Sequence, residues 1–395
     1  MHELVLRNIR LADGTAAEIA IAGGRIAAIG PDLEGAATEE GGGAIALPGL
    51  VEAHTHLDKT LWGMPWYPAR GGGDLQALID NERVSRGPLG LDVHRQSMRH
   101  ALALVGTGTT LIRSHVDIDT DHGLDLFEGL LRTREALAGQ IEIEIVAFPQ
   151  SGLLVRPGTA DLMEAALAAG ADIVGGLDPC SMDRDPRGHL DTIFAMAERH
   201  GKPIDIHLHE PGELGAFSLE LILERTRALG MAGRVAVSHA FCLGDLPEGR
   251  TATLMEAMAG LDVAVFTTGH PSATVPALLD LRAAGIRVGL GCDGIRDTWG
   301  PWGWPDMLQR ACVVGMRNGL RTDAELAELL DATTTGGAAA TGRPGHALTV
   351  GAPADLTLVE GETPAHALVA LAPRPLVLKG GRVVARDGRA LTEAP

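Results

Sequence analysis

The sequence predicts an α/β fold: a distorted (β/α)8 TIM barrel carrying a small β-sandwich domain formed by both chain termini. Three observations predict it. Eight short apolar runs recur between residues 44 and 291, stretches of helical periodicity lie between them, and the two chain ends share a different, hairpin-like rhythm. Eight strand–helix units are the count of a TIM barrel. A doubly wound sheet would show the same alternation, so periodicity by itself does not separate the two.

In chain order, residues 3–10 (ELVLRNIR), 17–22 (AEIAIA) and 25–29 (RIAAI) read as short strands separated by DG and GG turns. Residues 354–359 (ADLTLV), 375–379 (PLVLK) and 381–385 (GRVVA) repeat that style. The expected small β-domain is therefore 1–47 plus 346–395, and the barrel is 48–345. Within the barrel the runs are 44–53, 109–118, 141–148, 171–177, 203–208, 234–239, 262–267 and 286–291. Helical stretches include 124–138, 190–199 and 214–229.

Composition removes several classes of function. The 395 residues carry a formal charge of 33 − 51 = −18, which lacks the basic footprint of a nucleic-acid partner. Hydrophobic residues at 45% and charged residues at 21% fit a globular protein with a large core, and aromatics at 3% leave that core to Ala, Leu, Val and Ile. Cys180, Cys242, Cys292 and Cys312 show no CxxC spacing, against a disulfide framework or a cysteine zinc site. No signal peptide and no membrane-length apolar run are visible, so a cytoplasmic enzyme with no membrane partner is expected, and homo-oligomerisation stays open.

Chemistry-bearing residues sit at the C-terminal ends of the runs, the face where barrel enzymes place their sites. His54 and His56 flank Thr55, and period two puts both on one side of a strand, able to bind one cation. His207 and His209 share a face by the same rule, so spacing does not say which is the ligand. His239 ends VAVSH, and Asp293 lies in GLGCDG, where a buried carboxylate calls for a cation or hydrogen bonds. His115, in SHVDID, is a further candidate to line the pocket. His94, His100, His122, His189 and His200 read as surface residues. Gly289-x-Gly291-x-x-Gly294 matches a dinucleotide-binding motif but falls on the eighth run, not on the first βαβ unit. His209-Glu210 is no HExxH, because position 213 is Glu213, and the cysteine half of the small zinc deaminase signature is missing.

PGLVEAHTHLDKT, HLHE, VSHA and GCDG, in this order and at these run ends, resemble the amidohydrolase superfamily. Glu210 three residues after His207, Gln150 in VAFPQ, HVD at 115–117 and Trp299 six residues after Asp293 are similar to the cytosine deaminase branch. The resemblance implies one divalent ion per chain, Zn2+ or Fe2+, held by His54, His56, His207 and Asp293. It implies Glu210 as proton shuttle to the ring nitrogen, His239 and Asp293 assisting the hydroxide, and Gln150 and Trp299 as substrate-binding residues. A binuclear site would use a lysine at the end of the fourth strand. The lysines are only Lys59, Lys202 and Lys379, so a mononuclear site is expected. The implied activity is hydrolytic deamination of a small amino-substituted N-heterocycle: cytosine-like, such as 5-methylcytosine, isoguanine or pterin. Attack by metal-bound hydroxide releases ammonia. The alternative is release of an alkylamine from a triazine of the N-isopropylammelide type, or opening of a cyclic amide. One departure is Gly294, where the branch carries a second acid; Asp297 lies nearby in sequence.

Overall fold

Alternation at the two chain ends becomes pairing between them. The computed structural model describes residues 2–69 and 72–394. Strands β1 (His2–Arg10), β2 (Ala16–Ala22), β3 (Arg25–Gly30), β4 (Gly35–Glu40) and β5 (Ile45–Pro48) come from the N-terminal segment. The barrel strands follow as β6 (Leu50–Thr55), β7 (Thr109–Asp117), β8 (Glu142–Phe148), β9 (Ile173–Leu177), β10 (Ile204–His207), β11 (Val235–Ser238), β12 (Ala264–Thr267) and β13 (Val288–Leu290). β14 (Leu356–Val359), β15 (Leu376–Lys379), β16 (Arg382–Arg386) and β17 (Arg389–Ala390) complete the chain.

β1–β5 and β14–β17 form one nine-stranded sheet in the order 17-16-15-14-5-1-2-3, with β4 also on β1. The two termini meet where β5 runs antiparallel to β14, Leu47 opposite Thr357. Inward positions supply a separate core of Leu6, Ile9, Ile19, Ile21, Leu356 and Leu378. The run at 44–53 is two strands, not one. β5 stays in the terminal sheet, and Gly49 alone joins it to β6. A side chain at Gly49 would overlap Thr110, so the joint needs glycine. The boundary expected at 47/48 thus falls inside β5.

β6 to β13 are parallel and adjacent in chain order, the arrangement of a nearly closed (β/α)8 barrel. The lower interior is filled by Val51, Ala53, Leu111, Ala236, Ala264 and Phe266. Between β13 and β6 no continuous ladder forms. The seam is closed by a bridge between Thr55 and Asp293, by Asp293 N–H donating to His54 O at 2.8 Å, and by Glu52. The buried Glu52 Oε1 accepts from the amides of Cys292 at 2.9 Å and His54 at 3.2 Å.

Helices α1 (Leu75–Leu89), α2 (Val93–Gly106), α3 (Asp125–Ala136), α4 (Thr159–Ala168), α5 (Pro186–His200), α6 (Gly212–Ala228), α7 (Glu248–Gly260), α8 (Leu278–Ala283), α9 (Met307–Asn318), α10 (Asp323–Ala332), α11 (Thr335–Ala340) and α12 (Pro364–Val369) surround the sheets. The expected stretches 124–138, 190–199 and 214–229 are α3, α5 and α6. Two histidines expected at the surface are buried. His100 lies on the inner face of α2, and His189 on α5 binds Asp183 at 2.7 Å. Helical periodicity had placed them on elements but not on the correct faces. Among the described residues, no helix is long and apolar enough to cross a membrane.

Candidate metal centre and substrate wall

Five of the barrel strands bring histidine or aspartate side chains together at their C-terminal ends. β6 presents His54 and then His56, β7 presents His115, β10 presents His207, and the residues just after β11 and β13 are His239 and Asp293. The chain leaves β11 and β13 with positive φ at His239 (70°), Ala240 (47°) and Asp293 (61°). Non-glycine residues hold such angles only where the surroundings impose them, a pattern common at functional sites.

The rings meet closely. His54 lies 4.7 Å from His207 and 4.8 Å from His239 between centroids, and His207 lies 5.0 Å from His239. Asp293 Oδ1 is 3.4 Å from His56 Nε2 and 3.8 Å from His54 Nε2. His54, His56 and Asp293 form one group with ligand-forming spacing, and His54, His115 and His207 form a second that shares His54. Five of the residues expected to meet (His54, His56, His207, His239 and Asp293) therefore do. His115 joins them from β7, 4.4 Å from His54.

Hydrogen bonding prepares His54 to bind an ion through one atom. Ser238 Oγ donates its single proton to Asp205 Oδ1 at 2.7 Å, so it accepts from His54 Nδ1–H at 2.9 Å. Nε2 is left as the free lone pair, and it has no partner although fully buried. Arg113 holds the other oxygen of Asp205 at 3.2 Å. Both ring nitrogens of His207 and of His239 are likewise buried without partners. Burial, then repulsion among the imidazoles, pushes the His207 and His239 pKa values well below the usual range, so the rings are neutral. Burial alone would raise Asp293, but the surrounding His54, His56 and His239 rings outweigh it and hold its carboxyl well below the usual carboxylate range. Neutral imidazoles with orphaned nitrogens beside one carboxylate are the donor set of a divalent cation, and these residues fit it.

A polar wall stands beside this group. Lys59, only 4% exposed, donates to Gln150 Oε1 at 2.8 Å and pairs with Asp117 at 3.3 Å and Glu82 at 3.4 Å. Arg86 bridges Glu82 at 2.5 Å and Asp117 at 3.1 Å. Trp299 Nε1 donates to Glu82 Oε2, and Lys59 Nζ lies 5.2 Å from the Trp299 ring centroid. Gln150 and Trp299 thus belong to one buried network. Asp297, also in this wall, has its carboxyl pushed up to about 7 by burial.

Glu210 is held by four donors. Its Oε1 accepts from the amides of Cys180 at 2.8 Å and Ser181 at 2.7 Å and from Ser181 Oγ at 3.0 Å, while Oε2 accepts from Ser218 Oγ. All these partners lie in the loop after β9 or on α6, none among the converging histidines. His209 is in neither ligand-spaced group and hydrogen-bonds Asp178 through Nδ1 at 2.7 Å, its ring stacked 4.5 Å from His239. Reading from spacing missed Lys59, Glu82, Asp205 and Ser238. Lys59 and Ser238 fall inside the quoted motifs PGLVEAHTHLDKT and VSHA, but the role of each is defined by a partner on another strand or helix.

Comparison with known proteins agrees with this geometry. The model of the Amidohydrolase family matches residues 41–385. The chain is 32% identical over 396 residues to the N-isopropylammelide isopropyl amidohydrolase of Pseudomonas sp. (strain ADP), covering 98% of each chain. It is similar to the crystal structure of N-isopropylammelide isopropylaminohydrolase from Burkholderia multivorans, with TM-score 0.96 and 52% identity over 99% of this chain and 100% of that one. The crystal structure of 5-methylcytosine deaminase from Klebsiella pneumoniae, liganded with 5-fluorocytosine, matches with TM-score 0.85 and 25% identity over 99% of each chain.

Proposed function

This chain belongs to the amidohydrolase family, in its cytosine deaminase-like branch, and from that premise we propose that it hydrolyses an alkylamino substituent from a carbonyl-bearing triazine ring. As an enzyme of this family it acts on carbon–nitrogen bonds other than peptide bonds. One observation carries the reading: Lys59 occupies the Gln150 amide oxygen beside the converging imidazoles. Gln150 is left to offer its NH2 group, a donor suited to a ring carbonyl. The 52% identity to an N-isopropylammelide isopropylaminohydrolase supports alkylamine as the leaving group.

His54, His56, His207 and Asp293 would hold a divalent cation, which would lower the pKa of water towards about 7 and so make hydroxide available at neutral pH. Asp293 and His239 take the proton released and aim the nucleophile at the ring carbon that bears the amine. Gln150 fixes the ring edge, and Trp299 packs against its face. Glu210 delivers a proton to the ring nitrogen. A carboxylate has about four acceptor positions, and four donors already face this one, so the delivery costs Glu210 one of those hydrogen bonds. Water adds to the ring carbon, the carbon–nitrogen bond breaks, and the products are a ring carbonyl and the free amine.

The second reading is ammonia release from a cytosine-like ring, favoured by the likeness to 5-methylcytosine deaminase. Steady-state assays of the zinc- and iron-loaded protein with N-isopropylammelide and with 5-methylcytosine separate the two. The proposal expects kcat/KM for isopropylamine release to exceed that for ammonia release by at least about 100-fold, a difference near 2.7 kcal/mol in transition-state binding. Preferential ammonia release would establish the second reading instead.

A further inference from the structure

We propose that Asp297 is a substrate-reading residue, whose free Oδ2 accepts a hydrogen bond from an N–H of the heterocycle beside Asp293. The inference rests on the proposed ring-hydrolase reading and names a residue that sets its specificity. Three observations lead to it.

First, one half of the carboxylate is fixed and the other is free. Asp297 Oδ1 accepts from the amides of Trp299 at 2.8 Å and Gly300 at 3.1 Å, which sets the side-chain torsion. Among the described residues Oδ2 has no hydrogen-bond donor, and it is not among the atoms sealed from solvent. A carboxylate oxygen held in place at a 6% exposed residue is therefore left without a protein partner.

Second, the neighbouring residue makes room for it. A Cβ built at Gly294 would overlap Asp297 Oδ2. Gly294 has no positive φ, so its backbone does not demand glycine. The absence of a side chain there serves space, and the space is filled by Asp297, directly beside Asp293.

Third, the surrounding wall offers Asp297 one attractive charge, two repulsive ones and no donor to Oδ2. Lys59 attracts its charge while Glu82 and Asp293 repel it, and Lys59 directs its hydrogen bonds to Gln150, Asp117 and Glu82. A solvent-accessible carboxylate oxygen with no protein donor is free to accept from a ligand N–H. Gln150 supplies a donor to the ring and Asp297 an acceptor, which suits a heterocycle with alternating C=O and N–H groups along its edges.

The test is Asp297→Asn, which retains the Oδ1 acceptor for the turn and replaces Oδ2 with a donor. Binding is measured by calorimetry on the metal-loaded protein with N-isopropylammelide and with analogues methylated on successive ring nitrogens. Kinetics, metal content and melting temperature are read in parallel. The expected result is a rise in KM and dissociation constant of roughly 10- to 100-fold for the N–H ring, the range for one hydrogen bond to a charged group. One methylated analogue should lose little further, and metal content and melting temperature should stay at wild-type values. Unchanged affinity for the N–H ring in Asp297→Asn, with wild type turning that ring over, would overturn this inference alone. Failure of wild type to bind any such ring would overturn it together with the proposed function. A second variant, Gly294→Ala, should displace Oδ2 and reproduce the affinity loss, and wild-type affinity there would count against the inference.

Discussion

At the scale of single residues, the site depends on side chains that never touch an ion. Ser238 and Asp205 fix the His54 tautomer so that Nε2 points at the centre. Outer partners of this kind are worth about 10- to 100-fold in metal affinity. Ser238→Ala is therefore expected to weaken zinc binding by that factor, measured by competition with a chromophoric chelator, while circular dichroism stays unchanged. The residues legible in the sequence were those with a spacing rule or a motif: His54 and His56 by period two, His207, His239 and Asp293 by strand-end position and family likeness. Lys59, Ser238 and Asp205 were not legible as parts of the site, because their roles arise from partners 91, 184 and 33 residues away. Glu210 was legible as a residue, but its attachment to Cys180, Ser181 and Ser218 was not.

At the scale of elements, the eight apolar runs translate into eight barrel strands, with the first run split at Gly49. Apolar content does not register a change of sheet, which explains the merged run. β4 was unreadable because GAATEE is mostly exposed and pairs only along one edge of β1. α2 carries a testable consequence of misread burial. Both ring nitrogens of His100 are buried without partners, and burial pushes its pKa down to about 3. The folded state thus resists a proton that the unfolded chain accepts near 6.5. The stability this gives is present above pH 6.5 and is lost as pH falls towards 3. Between pH 8 and pH 5 the loss is about 2 kcal/mol. His100→Leu should remove that slope, measured by urea unfolding at the two pH values, and an unchanged slope would assign acid sensitivity to other groups.

At the scale of the whole molecule, the fold class was legible because two kinds of repetition, hairpins at the ends and strand–helix units between, demand different architectures. The parts share apolar packing through Ile45, Leu47, Val377 and Val384, and polar contacts that sequence does not announce add to it. Arg374, before β15, donates to Thr107 O at 3.0 Å and pairs with Asp306 at the start of α9. Metal removal should be felt globally, since binding an ion at 100 times its dissociation constant stabilises the fold by about 2.7 kcal/mol. Chelation is expected to lower the melting temperature by several degrees in scanning fluorimetry, with zinc or ferrous iron restoring it. The seam between β13 and β6 has a consequence in time. Glu52 and Cys292, which clamp that seam, are 240 residues apart in the chain. A ribosome adding about 5–20 residues per second needs on the order of 10–50 s to cover that span. During synthesis the nascent chain therefore exposes its first histidine pair long before the last carboxylate exists, and cation loading belongs to the final stage of maturation.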